Sequence, residues 1–288
     1  MTSKVFSIGI DLGGTHIKAA AVAPDGLVLV ARTVATKDGD GQTNPARWSH
    51  AVLGLIGDLE RACSGIATAI GLAAPGLAAA DGRSIAHMPG RLAGLEGLDW
   101  ADALQTPCAV PVLNDAHAAL VGEAWTGAAA GLSDVVLFTL GTGVGGGLIL
   151  DGQLFLGEGG GGEVGHTVVD PAGPLCGCGQ RGCLEVLASA TAARRRAREA
   201  GLTEDLKELT AAARTAPGAE RDLMIAVGRD LGRGLGTVVT LLDLRCFLIG
   251  GGFGRALDVL REGVEAGIRE RCTGPGRTNL RILSAELG

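Results

Sequence analysis

Between Glu163 and Glu185 the chain reads EVGHTVVDPAGPLCGCGQRGCLE, a glycine-rich stretch in which one histidine and three cysteines fall between two glutamates. Cys176, Cys178 and Cys183, with His166 ten residues before the first of them, offer three thiolates and one imidazole, the donor set of a closed tetrahedral Zn²⁺ site. Close cysteines can also form a redox group, but the intervening glycines and the upstream histidine favour a structural metal. Glu163 stands three residues before His166, and Glu185 two residues after Cys183. Metal binding would therefore hold both carboxylates in space, as if the ion were a scaffold for something polar.

Glycine turns supply a second kind of chemistry. Asp11-Leu12-Gly13-Gly14-Thr15 ends an apolar run and offers backbone N–H groups that no side chain shields, with the Thr15 hydroxyl as a further donor. Such a turn can wrap a polyphosphate, and Asp11 could hold Mg²⁺ directly or through water. Gly141-Thr142-Gly143-Val144-Gly145-Gly146 has the same character. A third turn, Gly250-Gly251-Gly252-Phe253, falls between an apolar segment and a helical one, where it could receive the adenosine end of a nucleotide. One such turn is more often a plain hairpin; two at matching places in a repeated unit could hold a nucleotide's phosphates from both sides of a cleft.

The elements that must position these residues show that repeat. Ile8 to Val30 reads as strand, Gly/Thr turn, strand, Asp-Gly turn and strand, and Val135 to Leu156 repeats the order. Asp25-Gly26 answers Asp151-Gly152, a strong hairpin signal between apolar runs. Each meander leads into alternating helical and strand segments, which predicts a duplicated α/β unit with helices covering a sheet. In the first copy a helix runs from Asn44-Pro45, as cap and first helical residue, to about Cys63, with strands at Ile66 to Leu72 and Val110 to Leu113. Asn114 and Asp115 follow, ahead of a helix from Ala116 to Trp125. In the second copy helices are predicted over Leu184 to Ala200, Thr203 to Thr215, Ala219 to Leu242 and Arg255 to Arg271, with a strand at Cys246 to Ile249. The pattern predicts two domains, 1–117 and 118–288.

Composition narrows the class. The 288 residues are 47% hydrophobic, with a mean hydropathy of +0.31, yet glycines interrupt the apolar stretches before any reaches the roughly 18 residues that span a bilayer. The N-terminus lacks the apolar core and cleavage site of a signal peptide. Seven cysteines, three of them clustered, suit a reducing compartment with one metal site and ordinary buried thiols. A cytoplasmic protein without a membrane partner is expected. A net charge of −6 and a pI near 5.4 argue against nucleic acid as a partner, and the arginines at 194–196 and 198 read as one solvated helix face. Trp48, Trp100 and Trp125 read as packing residues.

Taken together, DLGGTHIKAAAV, AAPG at Ala73 to Gly76, LNDA at Leu113 to Ala116, GTGVGGG at Gly141 to Gly147, and GEVGH joined to CGCGQRGCLE resemble the ROK family of sugar kinases. That family lies within the actin, hexokinase and Hsp70-like ATPase superfamily, and the resemblance extends over almost the whole chain. It implies a two-lobed, ribonuclease H-like α/β fold and ATP-dependent phosphorylation of a hexose between the lobes. By the same resemblance Asp115 is the catalytic base and Gly76, His87, Asn114, Asp115, Glu163, His166 and Glu185 meet the sugar. His166, Cys176, Cys178 and Cys183 match the zinc ligands, and relatives are often dimers or tetramers. The residues fit these roles chemically. Phosphoryl transfer to an alcohol needs positioning, charge neutralisation and a base for the hydroxyl proton, and Asp115 sits past an apolar strand, where open α/β sheets place ligands. Asn114 offers both a donor and an acceptor, and His166 could hold metal through one nitrogen while the other faces a hydroxyl. Asp115 as helix cap and Glu185 as a first-turn carboxylate answering the helix dipole are the plainer readings.

Two residues depart from the family pattern beside the expected sugar site: His87 stands where many relatives have Asn, and His117 where Asn is frequent. The chain also ends at Ser-Ala-Glu-Leu-Gly, where relatives usually continue through another helix. Three classes follow: a hexose kinase, with glucose first and N-acetylmannosamine or N-acetylglucosamine next; a sugar-sensing regulator, disfavoured because only ten residues precede Asp11; and a non-catalytic sugar or nucleotide binder.

Overall fold

The alternation of Ile8, Ile10 and Leu12 with Gly9 and Asp11 turns one face of β1 (Ser7–Leu12) into a core and leaves Asp11 on the other. The structure, a computed structural model, describes residues 5–36, 46–88, 92–272 and 278–287. It divides into two compact units, 1–118 with 156–160 and 119–155 with 161–288. The expected helix cap Asn44 and helix-opening Pro45 lie outside the described residues.

The first unit runs through β1, β2 (His16–Val22), β3 (Val28–Ala35), α1 (Ala46–Cys63) and β4 (Ala69–Ala74). The short pair β5 (Leu77–Ala78) and β6 (Ile85–His87), then α2 (Trp100–Ala103) and β7 (Val112–Asn114), lead into α3 (Asp115–Thr126). The sheet order is β3-β2-β1-β4-β7, in which β1 to β3 form an antiparallel meander and β4 and β7 add in parallel beyond β1. Ile8 pairs with Ala21, Ile10 with Ala19 and Leu12 with Ile17, so the apolar sides of β1 and β2 meet on one face. That face packs on Val52, Leu55 and Leu59 of α1 and on Trp48 and Trp100, whose rings lie 5.3 Å apart.

The second unit follows the same plan with β8 (Val135–Leu140), β9 (Val144–Leu150), β10 (Gln153–Leu154), α4 (Glu185–Ala188), α5 (Ala190–Glu199), α6 (Leu206–Thr215), α7 (Ala219–Leu242), β11 (Cys246–Gly250), α8 (Leu257–Arg271) and β12 (Arg281–Ser284). Its order is β10-β9-β8-β11-β12, again an antiparallel meander with two strands added in parallel. The duplication expected from the two Gly-turn meanders is present, although the third strand shrinks from eight residues to two. Asp151 (φ +50°) and Gly152 (φ +75°) make the β9–β10 turn with both central residues left-handed, the backbone that suits a tight hairpin. Strand β8 is buried on both faces: Val136, Phe138 and Leu140 face the helical layer, while Val135 and Leu137 meet Leu120 and Ala129.

Helices α7 and α8 approach closely because glycines meet backbone across the contact. A Cβ on Gly232 would lie 2.1 Å from the Val264 carbonyl oxygen, and one on Gly263 1.9 Å from that of Ile225. Among the described residues, no helix is long and apolar enough to cross a membrane.

Several boundaries moved for physical reasons. The single helix predicted over Leu184 to Ala200 is two, because Ser189 is extended (φ −75°, ψ 168°) and its hydroxyl caps α5 by accepting the Ala192 N–H at 3.1 Å. Strand β12 follows no apolar run long enough to announce it. Of the arginines read as a solvated face, Arg194 and Arg198 are exposed, but Arg196 turns inward to the buried Asp230, which also takes Arg233 at 2.9 Å. Trp125 is 54% exposed rather than packed, and Cys108 is exposed while Cys63, Cys246 and Cys272 are buried.

Candidate active site

In the first unit the five-stranded sheet and the short β5–β6 pair bring four of the expected residues to one neighbourhood. Strand β4 ends at the turn Pro75-Gly76, where Gly76 has φ +96° and a Cβ would lie 2.5 Å from the His87 carbonyl oxygen, so only glycine lets the two segments touch. The Gly76 carbonyl accepts the side-chain amide of Asn114 at 2.9 Å. The other end of that amide, Asn114 Oδ1, accepts the Ala116 N–H at 2.8 Å and the His117 N–H at 3.4 Å, and so caps α3. Asp115 is the first residue of the helix and is exposed, with Oδ1 2.8 Å from the Ala116 nitrogen. Capping thus falls mainly to Asn114, the neighbour of the residue for which the plainer reading proposed it. His87 is held by a residue that sequence reasoning missed: Glu96 Oε1 lies 3.5 Å from His87 Nδ1 and accepts the Met88 N–H at 2.5 Å. His117 is 3% exposed, so it belongs to the unit's interior.

The first glycine turn spans residues 13–15 between β1 and β2. Gly13 donates its N–H to the His16 carbonyl at 3.1 Å, and its own carbonyl accepts the hydroxyl of buried Thr36 at 2.6 Å. Thr36 anchors the turn from below, and no motif pointed to it. Gly14 is partly buried and Thr15 exposed. Asp11 pairs across the hairpin with Lys18 at 3.4 Å, a half-exposed ion pair that Mg²⁺ would have to displace or share.

In the second unit the cysteine segment folds into a small knot. The Cys176 N–H donates to Gln180 and the Gly179 N–H to Cys176, closing a turn around Cys178, while Cys183 bridges Val168. The ligand atoms of His166, Cys176, Cys178 and Cys183 all lie within 4.8 Å of one another. A tetrahedron with Zn–S bonds of about 2.3 Å has S···S edges of about 3.8 Å and S···N edges of about 3.5 Å. Cys178 Sγ lies 3.6 Å from Cys183 Sγ, and His166 Nδ1 lies 3.6 Å from Cys176 Sγ. The donor set fits a four-coordinate metal with every position taken by protein.

Burial pushes the Cys183 thiol up to about 12 and raises Cys176, whereas a backbone N–H from Gln180 lowers Cys178 to about 7. The raised pair favours neutral thiols, and a cation among the sulfurs would be what holds all three as thiolates. The imidazole divides its nitrogens, Nδ1 toward Cys176 and Nε2 toward Glu163 Oε2 at 3.9 Å.

The second glycine turn lies against this knot. It comprises residues 141–143, closed by a Gly141 N–H to Gly143 carbonyl bond of 3.0 Å, and β9 has begun by Val144. Gly145 and Gly146 therefore sit within a strand, opposite Thr139 and Phe138, rather than in the turn. Close approach explains part of the glycine richness there: a Cβ on Gly165 would stand 1.9 Å from the Val144 carbonyl oxygen, so the segment carrying Glu163 and His166 lies backbone to backbone on β9. Leu12 pairs with Ile17 but Leu140 with Val144, so four residues lie between the last paired positions of the first hairpin and three between those of the second. The third glycine turn follows β11 as Pro75-Gly76 follows β4; Gly251 has φ +80° and packs on the Leu140 carbonyl, while Gly252 has open space beside it.

A cavity of about 530 Å³ opens there. Gly141, Thr142, Gly252 and Phe253 line it together with Ala190, Arg194, Leu206, Lys207, Thr210, Arg214, Arg255 and Ala256. Among the twelve lining residues are four cations, of which Arg214 is held by both carboxylate oxygens of Asp258 at 2.6 and 2.8 Å.

The model of the ROK family matches residues 7–288. The chain belongs to the ROK family. It is 36% identical to a glucokinase of Thermotoga maritima over 282 residues, covering 89% of this chain and 85% of the relative. It is 31% identical to an N-acetylmannosamine kinase of Escherichia fergusonii over 253 residues, covering 87% and 84%. Among solved structures it matches a ROK family glucokinase from Streptomyces griseus in complex with glucose and AMPPNP, with a TM-score of 0.79, 30% identity, and coverage of 98% of this chain and 95% of that one. As a ROK protein it carries the expected residues in two sets: Asp11, Gly13, Gly14, Thr15, Gly76, His87, Asn114 and Asp115 in the first unit, the remainder in the second. Sequence reasoning passed over Arg194, Lys207, Arg214 and Arg255, because helical arginines and lysines look like solvated surface until a cavity is seen beside them.

Proposed function

We propose that this chain is an ATP-dependent sugar kinase that transfers the γ-phosphoryl group of Mg-ATP to a hydroxyl of glucose. The observation that carries the reading is the second unit's construction, in which the turn 141–143 borders a cavity and is packed against a Cys₃His knot flanked by Glu163 and Glu185. A glycine turn offers backbone N–H groups to phosphate, the cations at 194, 207, 214 and 255 suit the charge of a nucleotide, and Phe253 and Leu206 offer apolar surface for a base.

Asp115 is the proposed general base. Its carboxylate is exposed at the C-terminal end of the sheet's parallel strands, and it accepts the hydroxyl proton as the sugar oxygen bonds to the γ-phosphorus and the bond to the bridging oxygen breaks, releasing ADP. Gly76, His87, Asn114, Glu163, His166 and Glu185 are proposed to meet the sugar, and Asp11, Gly13, Gly14 and Thr15 to serve the phosphates and Mg²⁺. Zn²⁺ held by His166, Cys176, Cys178 and Cys183 would stiffen the segment that carries Glu163 and Glu185, since a site closed by four protein ligands leaves no position for Lewis-acid work.

The identity of 36% to a glucokinase favours glucose, and that of 31% to an N-acetylmannosamine kinase makes an N-acetylhexosamine the second candidate. Purified protein with Mg-ATP across glucose, mannose, allose, fructose and the N-acetylhexosamines tests both. Glucose-dependent ADP release at the highest kcat/KM is expected; no release on any sugar would sink the kinase reading.

A further inference from the structure

Glu185 makes contacts that sugar recognition does not require. It opens α4, which has no side-chain cap, yet its carboxylate does not stay at the helix end. Oε2 accepts the backbone N–H of Val144 at 3.2 Å, the residue that follows the second glycine turn, and Oε1 stands 4.0 Å from Cys176 Sγ. Gly143 leaves the room: a Cβ there would lie 2.1 Å from Oε2. Two further bonds run from the next helix to the same turn. The Ala190 N–H donates to the Gly141 carbonyl at 2.9 Å, and the Thr191 hydroxyl to the Thr142 carbonyl at 2.7 Å. Besides the Gly141–Gly143 bond that closes it, the turn is thus held from α4, which begins two residues after the last cysteine of the knot, and from α5, which follows it.

We propose that Glu185, assisted by Thr191, is a positioning residue for the donor-phosphate turn, fixing the backbone of residues 141–144 in the conformation that receives nucleotide phosphates. The inference rests on the kinase reading for the identity of the donor, and it gives Glu185 a second task beside its proposed contact with the acceptor sugar. The physical basis is pre-organisation: a turn already held in its bound shape does not pay to be ordered when the ligand arrives. What matters is an acceptor oxygen at Val144, not the charge, because a neutral amide oxygen can take the same N–H.

The test measures binding of AMPPNP with Mg²⁺ to sugar-free protein by isothermal titration calorimetry, for the wild type, Glu185→Ala, Glu185→Gln and Thr191→Val. A role confined to the sugar would leave these constants untouched. Glu185→Ala is expected to weaken AMPPNP about tenfold, the effect of one lost hydrogen bond of ordinary strength. Glu185→Gln should stay within about threefold of the wild type, and Thr191→Val should lose about threefold to fivefold. Wild-type affinity in Glu185→Ala overturns the proposal whatever happens to the sugar KM, and an equal loss in Glu185→Ala and Glu185→Gln overturns its hydrogen-bond basis. Zinc content and melting temperature are recorded for each variant; should Glu185→Ala fail to fold, Thr191→Val decides, with wild-type affinity counting against the proposal. Failure of the wild type itself to bind AMPPNP would instead refute the donor-site reading and this inference with it.

Discussion

Replacing Asp115 by Asn separates the two jobs that residue could have. As the base that accepts the sugar proton, Asp115 should contribute about 100- to 10,000-fold to turnover, the usual range for a positioned proton acceptor. That range corresponds to about 2.7–5.5 kcal/mol of barrier. As a structural cap it should matter little, because the side chain of Asn114 already satisfies the Ala116 and His117 N–H groups at 2.8 and 3.4 Å. Through the helix dipole, the loss of one exposed carboxylate from the start of α3 is worth about 0.3–1 kcal/mol. For a chain of this size that is a fall of about 1–4 °C in melting temperature. The predicted signature of Asp115→Asn is therefore a kcat lowered at least about 100-fold in a coupled ADP-release assay, with AMPPNP affinity and melting temperature nearly unchanged. Turnover within about threefold of the wild type would refute the base assignment. A melting temperature lowered by about 10 °C would show instead that Asp115 is structural and that the division of labour with Asn114 was misread.

Other perturbations probe the frame. Metal analysis should find about one zinc per chain, and a strong chelator should lower the melting temperature and weaken AMPPNP together; zinc well below one per chain in active protein would remove the metal from the account. Gly263→Ala should destabilise by about 3 kcal/mol in urea titration, because its Cβ would stand 1.9 Å from the Ile225 carbonyl oxygen and α7 must move away from α8. Glu123 is 2% exposed and its carboxylate accepts the N–H groups of Ala128, Glu286 and Leu287 at 2.8, 2.8 and 2.7 Å. Glu123→Ala should therefore cost roughly 3 kcal/mol by the same titration and free the C-terminal segment to faster amide exchange, whereas an unchanged midpoint would mean that water replaces the carboxylate.

Much of this was legible in the linear chain. Meanders with Gly/Thr turns and Asp-Gly hairpins announce themselves through alternation and turn chemistry, which are local properties, and the β1–β3 and β8–β10 ribbons form where the pattern places them. The Cys₃His set was legible for a different reason: few donor sets with that spacing have another stable use. Where the reading went astray, the deciding contact was distant. Arg196 lies on a helix that looks solvated, and only the approach of α7 brings Asp230 to it. Nothing local breaks the segment at Ser189; its hydroxyl and extended backbone do so once Ala190 has to reach Gly141. Glu96 and Thr36 carry no motif, and each gains meaning only through the partner it touches, the first His87 and the second Gly13.

The sequence by itself determined the duplicated α/β plan, the grouping of the Cys₃His donor set and the family, because periodicity, turn residues and donor spacing are written along the chain and survive without knowledge of distant contacts. The tertiary structure alone decided which glycines form a turn and which permit packing: Gly141 and Gly143 lie in the turn, whereas Gly146 and Gly165 let backbone lie against neighbouring segments. It also decided that Asn114 rather than Asp115 carries the main capping bonds, and that Glu185 reaches back 41 residues to Val144, the first residue of β9. Such assignments depend on ångström-scale distances between segments far apart in the chain, and those distances exist only after the sheet and the helices over it have packed.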